Sequence, residues 1–450
     1  MDIVKLMKSN LTRFPYAIGV LAARTPFSWR PGIGKGYRKA HAEILEWERK
    51  DSSSKENYVF TRVKAIAEYA YGAIPFYREL YDSAGINPSD LSHFDDIKQL
   101  PIVTKKMLQS VPLKERSSNV FGRSIANTGG SSGQPLEFYI QPSAIPHEWA
   151  HIHHAWANLG FRPHDLKIMF VGRTKVNNIV DYDSARHSLV VDTYKGWEIV
   201  AEELYKKAIK YKPRFLHGYP SAIFDFVDWL DRARHPLIIY FQEYLQGIIL
   251  SSELPNAVLR ERVESLLKCS TISFYGHTER CVLAAERSEK GFFDVYQTYG
   301  HAEVNGDGRE GSLIGTSYYN YASPLVRYDT GDLIDPVVEG RILTGFSISK
   351  GREGEFIIDR YGHKVFLTAF IFGRHHPVFN YAAHVQVRQV KPGEAELLVT
   401  ARESLSAGEA LSLFDLDNVN VCFQVSILSE PIVTVSGKVP LLVKSDHFVG

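Results

Sequence analysis

Apolar residues between Asn57 and Gly85 ("NYVFTRVKAIAEYAYGAIPFYRELYDSAG") recur at helical spacing, which predicts a helix, a break near Pro75 and a second helix. A short helix and a loop follow in "HFDDIKQLPIVTKKML". Further on, helical periods at 146–159, 198–211, 221–234 and 254–268 alternate with short apolar runs. These runs are "LKIMFVG", "PRFLHGYP", "QGIILSS" and "TISFYG", and strands alternating with helices predict parallel βαβ units. From about Asp294 the pattern changes. Turn glycines separate short alternating runs such as "EGSLIGTSYYNYASPLVRYDTGDLI" and "EGRILTGFSIS", which predicts antiparallel strands. After Gly351, strand-like runs ("EFIID", "AELLVT", "VCFQVSIL") surround one or two short helices. The chain is therefore expected to be α/β. A large N-terminal domain of mixed sheets flanked by helices (57–350) is preceded by a helical extension (1–56) and followed by a small α+β C-terminal domain (351–450).

Composition adds bounds. The chain has 450 residues, enough for a large domain and a small one. Formal net charge is +1, and no basic block carries interleaved aromatics, so no nucleic-acid partner is expected. The three cysteines, Cys269, Cys281 and Cys422, form neither a CxxC pair nor a disulfide framework; three buried thiols in a reducing, cytoplasmic setting are expected. No transmembrane segment is expected, because the longest apolar candidate, Leu237–Leu250, contains Glu243 and two glutamines. Lys5, Lys8 and Arg13 precede the apolar run Pro15–Ala23, an arrangement that imitates a signal peptide. That run is short and holds Pro15 and Gly19, so it reads better as an amphipathic surface segment that could meet a partner or a membrane.

The chemistry-bearing stretches come in a definite order. "NTGGSSGQP" (Asn127–Pro135) packs glycines and hydroxyls before an alternating run, the composition of a loop whose amides and hydroxyls cradle phosphate oxygens, though it lacks the GK[ST] of a Walker loop. "SFYGHTE" places Glu279 just past a strand end, where open α/β sheets bind ligands. "PLVRYDTGDLI" holds Asp332 in a tight turn, able to accept two ribose hydroxyls. "SKGREGEFI" puts Arg352 at the expected domain junction, and "TVSGKV" puts Lys438 in a late glycine turn. "HIHHAW" (His151–Trp156) lacks a carboxylate partner and reads as packing rather than a metal site.

Taken together and in this order, the stretches resemble the adenylate-forming superfamily of acyl-CoA synthetases and ligases. The resemblance spans Thr128–Gly133, Tyr275–Glu279, Tyr328–Asp332, Gly351–Arg352 and Ser436–Lys438. "IPFYRELYDSAGI", "LHGYPSAI", "ILSSELP" and "YGHTERCVLAAE" look like the phenylacetate–CoA ligase branch, and within it most like capsular-polysaccharide biosynthesis proteins and coenzyme-F420-adenylating synthetases.

That resemblance implies an enzyme that joins a small-molecule carboxylic acid to ATP as an acyl-adenylate and passes the acyl group to a thiol, with CoA as co-substrate, or to an amine. It implies that Thr128, Ser131 and Ser132, with the amides of Gly129, Gly130 and Gly133, hold the β- and γ-phosphates. Thr278 contacts the α-phosphate, Glu279 helps hold Mg²⁺, and Tyr275 and Gly276 lie at the nucleotide, Tyr275 stacking near the adenine. By the same resemblance Asp332 would bind the ribose hydroxyls, Arg352 would reinforce the ribose or phosphate side, and Lys438 would bridge carboxylate and α-phosphate. His217, Gly218, Tyr219, Ser251 and Ser252 fall where relatives line the acyl and adenine sites. A C-terminal domain that rotates about a hinge after Arg352 is implied as well. Three departures bear on activity. Gln134 stands where a loop lysine is common, Asp329 stands where an arginine is usual, and the late turn lacks its following arginine. Asp329 is expected to weaken nucleotide binding or to pair with a nearby arginine such as Arg327. An adenylyltransferase acting on a hydroxyl, or a non-catalytic scaffold, are the alternatives these departures leave.

Overall fold

In the computed structural model the described residues are 15–30, 32–128, 136–171, 176, 178–306, 309–348, 355–372, 374, 376–401, 404–432 and 440–444. The chain opens with α1 (Tyr16–Arg24), α2 (Gly34–Trp47), α3 (Ser52–Ala73) and α4 (Pro75–Ser83). Asp51 caps α3 by accepting from the Ser54 amide at 2.7 Å, so residue 57 lies inside this helix. Pro75 sits at the first turn of α4, where its missing N–H costs nothing. The short α5 (Lys105–Gln109) leads to a hairpin of β1 (Ser124–Asn127) and β2 (Glu137–Ile140), then α6 (Ala144–Ala157).

The βαβ portion runs β3 (Lys167–Phe170), β4 (Val180–Asp183), β5 (Ser188–Val191), α7 (Trp197–Tyr211), β6 (Phe215–Gly218), α8 (Pro220–Arg232), α9 (Leu237–Tyr244), β7 (Gly247–Leu250), α10 (Ala257–Leu267) and β8 (Ser270–Gly276). The antiparallel portion follows as β9 (Leu283–Ala285), β10 (Phe292–Val295), β11 (Gly300–Gly306), β12 (Gly311–Ser317), β13 (Tyr328–Glu339) and β14 (Ile342–Ile348). Beyond it lie β15 (Phe356–Ile358), β16 (Lys364–Phe366), β17 (Ala382–Lys391), β18 (Glu394–Ala401), α11 (Ala407–Ser412) and β19 (Cys422–Leu428).

Among the described residues, one 12-stranded sheet runs β11-β12-β13-β14-β10-β9-β8-β7-β6-β3-β5-β4. β8 is its seam, parallel to β7 and antiparallel to β9. The parallel half is buried on both faces and alternates accordingly. Leu216, Ile248 and Leu250 pack under α7, α8 and α9, while Phe215 and Ile249 pack with Trp156 of α6. The antiparallel half covers a separate core with α3 and α4, built from Val59, Val63, Tyr77, Tyr328 and Phe346. The C-terminal body has its own three-stranded sheet, β17-β18-β19, in which β18 and β19 run parallel, and its core takes in Tyr194 from the large domain.

One expectation changes. Of the cysteines, all free, Cys281 alone is buried; Cys269 is half-buried and Cys422 is exposed, because Cys422 opens the strand β19 with its side chain turned outward.

Candidate active site

The parallel strands end level with one another. Phe170 pairs with Gly218, Gly218 with Leu250 and Leu250 with Ser273 across β3, β6, β7 and β8. The stretches containing His217–Tyr219, Ser251–Ser252 and Tyr275–Glu279 therefore leave the sheet along one carboxyl edge, where open sheets place ligands. The edge is tightly knit. The Tyr219 amide donates to the Phe170 carbonyl at 3.1 Å and the Ser251 amide to the Gly218 carbonyl at 3.1 Å. Gly218 has no room for a side chain, since a Cβ there would lie 2.1 Å from the Phe170 carbonyl oxygen. Ser252 turns the chain with φ +71°, and the buried Glu253 accepts from the Ser221 amide at 3.0 Å, at the first turn of α8. His217 is half-buried with its ring 4.8 Å from that of Trp156.

β13 lies four places from β8 in the sheet order, yet its first residues meet the end of β8. The antiparallel half must therefore curl back on the seam. The Tyr275 hydroxyl donates to Asp332 Oδ2 at 2.6 Å. Burial, reinforced by the Asp332 carboxylate, raises the Tyr275 phenol well above its ordinary range, so it acts as a donor. The Tyr328 hydroxyl, also pushed up by burial and by the Glu279 carboxylate, donates to Glu279 Oε1 at 3.3 Å. His277 Nδ1 lies 3.1 Å from Glu279 Oε2, and its Nε2 lies 3.5 Å from Cys281 Sγ. Burial alone would neutralise both members of the His277–Glu279 pair. Instead Cys281 and Glu279 hold the imidazole well above its usual value, and the His277 contact, with Lys105 adding at longer range, holds the Glu279 carboxyl below its own. Thr278 is exposed at the tip of this turn, and Arg280, with φ +57°, closes it and pairs with Glu148 of α6 at 2.8 Å.

Thr128 is buried at the neck of the β1–β2 hairpin. Its amide donates to the Leu136 carbonyl at 3.0 Å, and its hydroxyl accepts from the Leu136 amide at 2.8 Å. The phosphate-loop residues Gly129, Gly130, Ser131, Ser132 and Gly133 span that neck and lie outside the described residues, as do Arg352 and Lys438. The hairpin is fixed to the segment preceding β13. Asn320 donates to the Tyr139 carbonyl at 2.8 Å, and Ser323 accepts from the Tyr139 amide at 3.0 Å. The hairpin neck and the start of β13 thus share one scaffold. Among the described residues no hydrogen bond joins Thr128 to Tyr275, Glu279 or Asp332; Tyr275 bonds Asp332, Glu279 separately engages His277 and Tyr328, and the Tyr275 and His277 rings meet edge-on at 5.8 Å.

Asp329 does not pair with Arg327. Its carboxylate accepts from the Gly331 amide at 2.9 Å and closes its own turn. Arg327, with φ +48°, points the other way. Its guanidinium is buried against Glu303 at 2.7 Å and caps the carbonyls of Lys98 and Leu100. Three contributors went unassigned in the sequence: His277, Tyr328 and Lys105. His277 and Tyr328 lie inside recognised motifs at positions with no assigned role. Lys105 follows Val103, which exchanges backbone hydrogen bonds with Arg327 and Asp329 and so sets α5 against β13. The histidines of α6 are packing residues: His151 meets Thr298 at 2.9 Å, His153 meets Tyr37 at 3.2 Å and His154 meets Tyr296 at 3.0 Å. Among the described residues no cluster could hold a metal ion by side chains alone. A lone ionised Glu279 with both oxygens hydrogen-bonded still suits Mg²⁺, which takes one or two carboxylates and completes its shell with water and substrate phosphates.

No family model matches the chain. It is 22% identical over 279 residues to protein CapK of Staphylococcus aureus, covering 58% of each chain. It is 24% identical over 294 residues to phenylacetate–coenzyme A ligase of Aromatoleum evansii, covering 60% of this chain and 64% of the ligase. The Escherichia coli K12 ligase is 22% identical over 299 residues, with 60% and 65% covered. The chain thus spans less than two thirds of the length of these relatives. Among solved structures, 2-hydroxyisobutyryl-CoA ligase with 2-HIB-AMP and CoA in its thioesterification state superposes with TM-score 0.56 at 17% identity, over 88% of this chain and 91% of that one. Its postadenylation state with R3-HIB-AMP gives 0.51 at 17% identity, over 88% and 90%. The fold is that of 2-hydroxyisobutyryl-CoA ligase. In sequence the chain is similar to CapK and to the phenylacetate–CoA ligases over 58–60% of its length.

Proposed function

We propose that the chain is an AMP-forming ligase. A carboxylic acid attacks the α-phosphorus of ATP, pyrophosphate leaves, and the acyl group of the resulting adenylate passes to the thiol of CoA or to an amine. The observation that carries this reading is the joined pair of acidic motifs. Asp332 is oriented by the Tyr275 hydroxyl, and Glu279 is held ionised between His277 and Tyr328. One Asp332 oxygen engages Tyr275, leaving the other to accept from ribose hydroxyls. Glu279 would hold Mg²⁺, which supplies charge neutralisation for the phosphates. Thr278, exposed at the turn, is available to an α-phosphate oxygen, and the loop above the Thr128 neck would surround the outer phosphates. Arg352 and Lys438 complete the set by resemblance. The capped turn at Asp329 supports an intact ribose motif, since its carboxylate is occupied with a backbone amide. The carboxyl edge at His217, Gly218, Tyr219, Ser251 and Ser252 is the place for the acyl group. The likeness to CapK favours an amine or sugar acceptor in surface-polysaccharide synthesis; the likeness to the ligases favours CoA.

ATP–pyrophosphate exchange with a mixed panel of acids tests the reading. Exchange by the wild-type chain and its loss in Lys438→Ala is the expected result. ATP binding without exchange on any acid, together with transfer of AMP to a hydroxyl acceptor, would establish adenylyl transfer instead.

A further inference from the structure

The sequence of α1, "YAIGVLAAR", is apolar on every side apart from the Tyr16 hydroxyl and Arg24. A helix of that kind is normally covered all round or lies against lipid. One face of α1 is covered. Gly19 and Ala23 are buried, and the Gly19 backbone sits so close to Tyr182 that a Cβ would lie 2.0 Å from the Tyr182 hydroxyl oxygen. The Tyr16 ring stacks 4.1 Å from that of Tyr211 and 5.0 Å from that of Tyr182. The opposite face is bare: Ile18 is 50% exposed, Leu21 72%, and Trp29, just beyond the helix, 75%. The bare face is rigidly presented. Arg30 folds back over the Phe27 ring at 3.8 Å and caps the end of α1 through the carbonyls of Ala22, Ala23 and Thr25.

The segment that carries this face is basic, with its nearest carboxylates at Glu43, 4.0 Å from Lys39, and at Asp181 and Asp183, which flank the Tyr182 that α1 packs on. Residues 15–42 contain Arg24, Arg30, Lys35, Arg38 and Lys39 and no acidic residue, in a chain whose net charge is +1. The Tyr16 hydroxyl donates to the Tyr211 carbonyl at 3.4 Å, which brings the exposed Lys210 and Lys212 alongside. A nucleic acid would use the bases but not Ile18 and Leu21. An apolar helix face with a neighbouring indole and a ring of cations is the chemistry of an anionic lipid interface. At nine residues α1 is too short to cross a bilayer, and no described helix is long and apolar enough to do so.

We propose that this face docks the protein on the surface of an anionic phospholipid bilayer. α1 lies in the interface plane, Ile18, Leu21 and Trp29 enter the headgroup boundary, and Arg24, Lys35, Lys39, Lys210 and Lys212 meet the phosphates. The test is co-sedimentation of the full chain with vesicles of phosphatidylcholine, with and without phosphatidylglycerol, at low and high salt. Sedimentation with the phosphatidylglycerol vesicles, weakened by salt, is expected. Leu21→Asp should lower the affinity at least about tenfold, and Lys35→Glu and Lys39→Glu about fivefold or more each. Should Leu21→Asp fail to fold, as judged by its melting curve, Trp29→Ala at the still more exposed position takes its place. Absence of binding to anionic vesicles at low salt, equal binding to pure phosphatidylcholine, or binding indifferent to these substitutions overturns the proposal. So does a dimer seen by sedimentation velocity that Leu21→Asp dissolves while vesicle binding is absent, which would assign the face to a second copy of the chain.

Discussion

Glu279 is pinned at both oxygens, by His277 on one side and Tyr328 on the other. A carboxylate so fixed can meet a cation without reorganising, and loss of its charge removes that advantage. Glu279→Gln is expected to lower the rate of ATP–pyrophosphate exchange by about 10²–10³. His277 meets the carboxylate and Cys281 and packs edge-on against the Tyr275 ring at 5.8 Å, so it acts through position. In His277→Gln the Mg²⁺ concentration for half-maximal exchange should rise about 10–100-fold, while the rate at saturating Mg²⁺ changes less; a fall in rate with unchanged Mg²⁺ demand would remove His277 from this role. Single residues also mark where sequence reading ends. Arg327 and Asp329 sit two apart, which in a strand puts side chains on one face and makes a pair reasonable. The left-handed backbone at Arg327 breaks that alternation and sends the guanidinium to Glu303. No local pattern encodes such a φ in an arginine.

At the level of elements, the hairpin and α6 carry separate expectations. The β1–β2 hairpin is closed at its neck by Thr128 and Leu136, below the proposed phosphate loop. Thr128→Val keeps the shape but leaves the buried Leu136 amide one acceptor short, a cost of about 1–3 kcal/mol. Its neck loosened, the loop should bind ATP more weakly, read as a raised KM for ATP in exchange with folding retained. In α6, burial drives the pKa values of His151 and His153 down to about 3 from 6.5. Their folded values lie below the unfolded one, so between pH 6.5 and about 3 the unfolded chain binds more protons, and stability falls as pH drops. Each histidine contributes a slope of at most about 1.4 kcal/mol per pH unit. Urea unfolding at neutral pH and near pH 5 should show the loss, and His151→Asn should flatten it. These elements were legible because period 3.6 and period 2 survive in the sequence: α6, α7 and α8 and the strands β3, β6, β7 and β8 fall within a few residues of their expected places. The hairpin β4–β5 went unread, since "VDYD" and "SLVV" are too short to show a period, and the parallel pairing of β18 with β19 is a property of two distant segments. The order of the motifs along the chain is legible in the sequence. That Tyr275 reaches Asp332 depends on the curl of the antiparallel half, which only the assembled sheet reveals.

Across the whole molecule, the C-terminal body meets the large domain through a polar contact and through side chains that each body inserts into the other's core. Asp225 of α8 accepts from Trp197 Nε1 at 2.7 Å and from the Lys364 ammonium of β16. Beside it the Gly196 backbone closes on the His363 ring, where a Cβ would come within 2.6 Å. Phe366 and Ala369 insert into the core beneath α7 and α8, while Tyr194 reaches back into the C-terminal core under Arg374, 4.2 Å from its guanidinium. The junction thus mixes reciprocal apolar insertion with one ion pair whose lysine is over a third exposed, and that exposure limits the pair to about 1 kcal/mol or less. The ion pair alone can therefore be lost without unfolding either body, and the two half-reactions proposed for the chain would require its C-terminal body to change its docking. Asp225→Asn removes the charge and leaves an oxygen for Trp197. Amide hydrogen exchange in β15 and β16 should then quicken severalfold while that of β6 and β7, deep in the parallel half, stays as it was. Unchanged exchange in β15 and β16 would mean that Phe366 and Tyr194, not the ion pair, set the docking of the C-terminal body, and the next substitution to examine would be Tyr194→Ala.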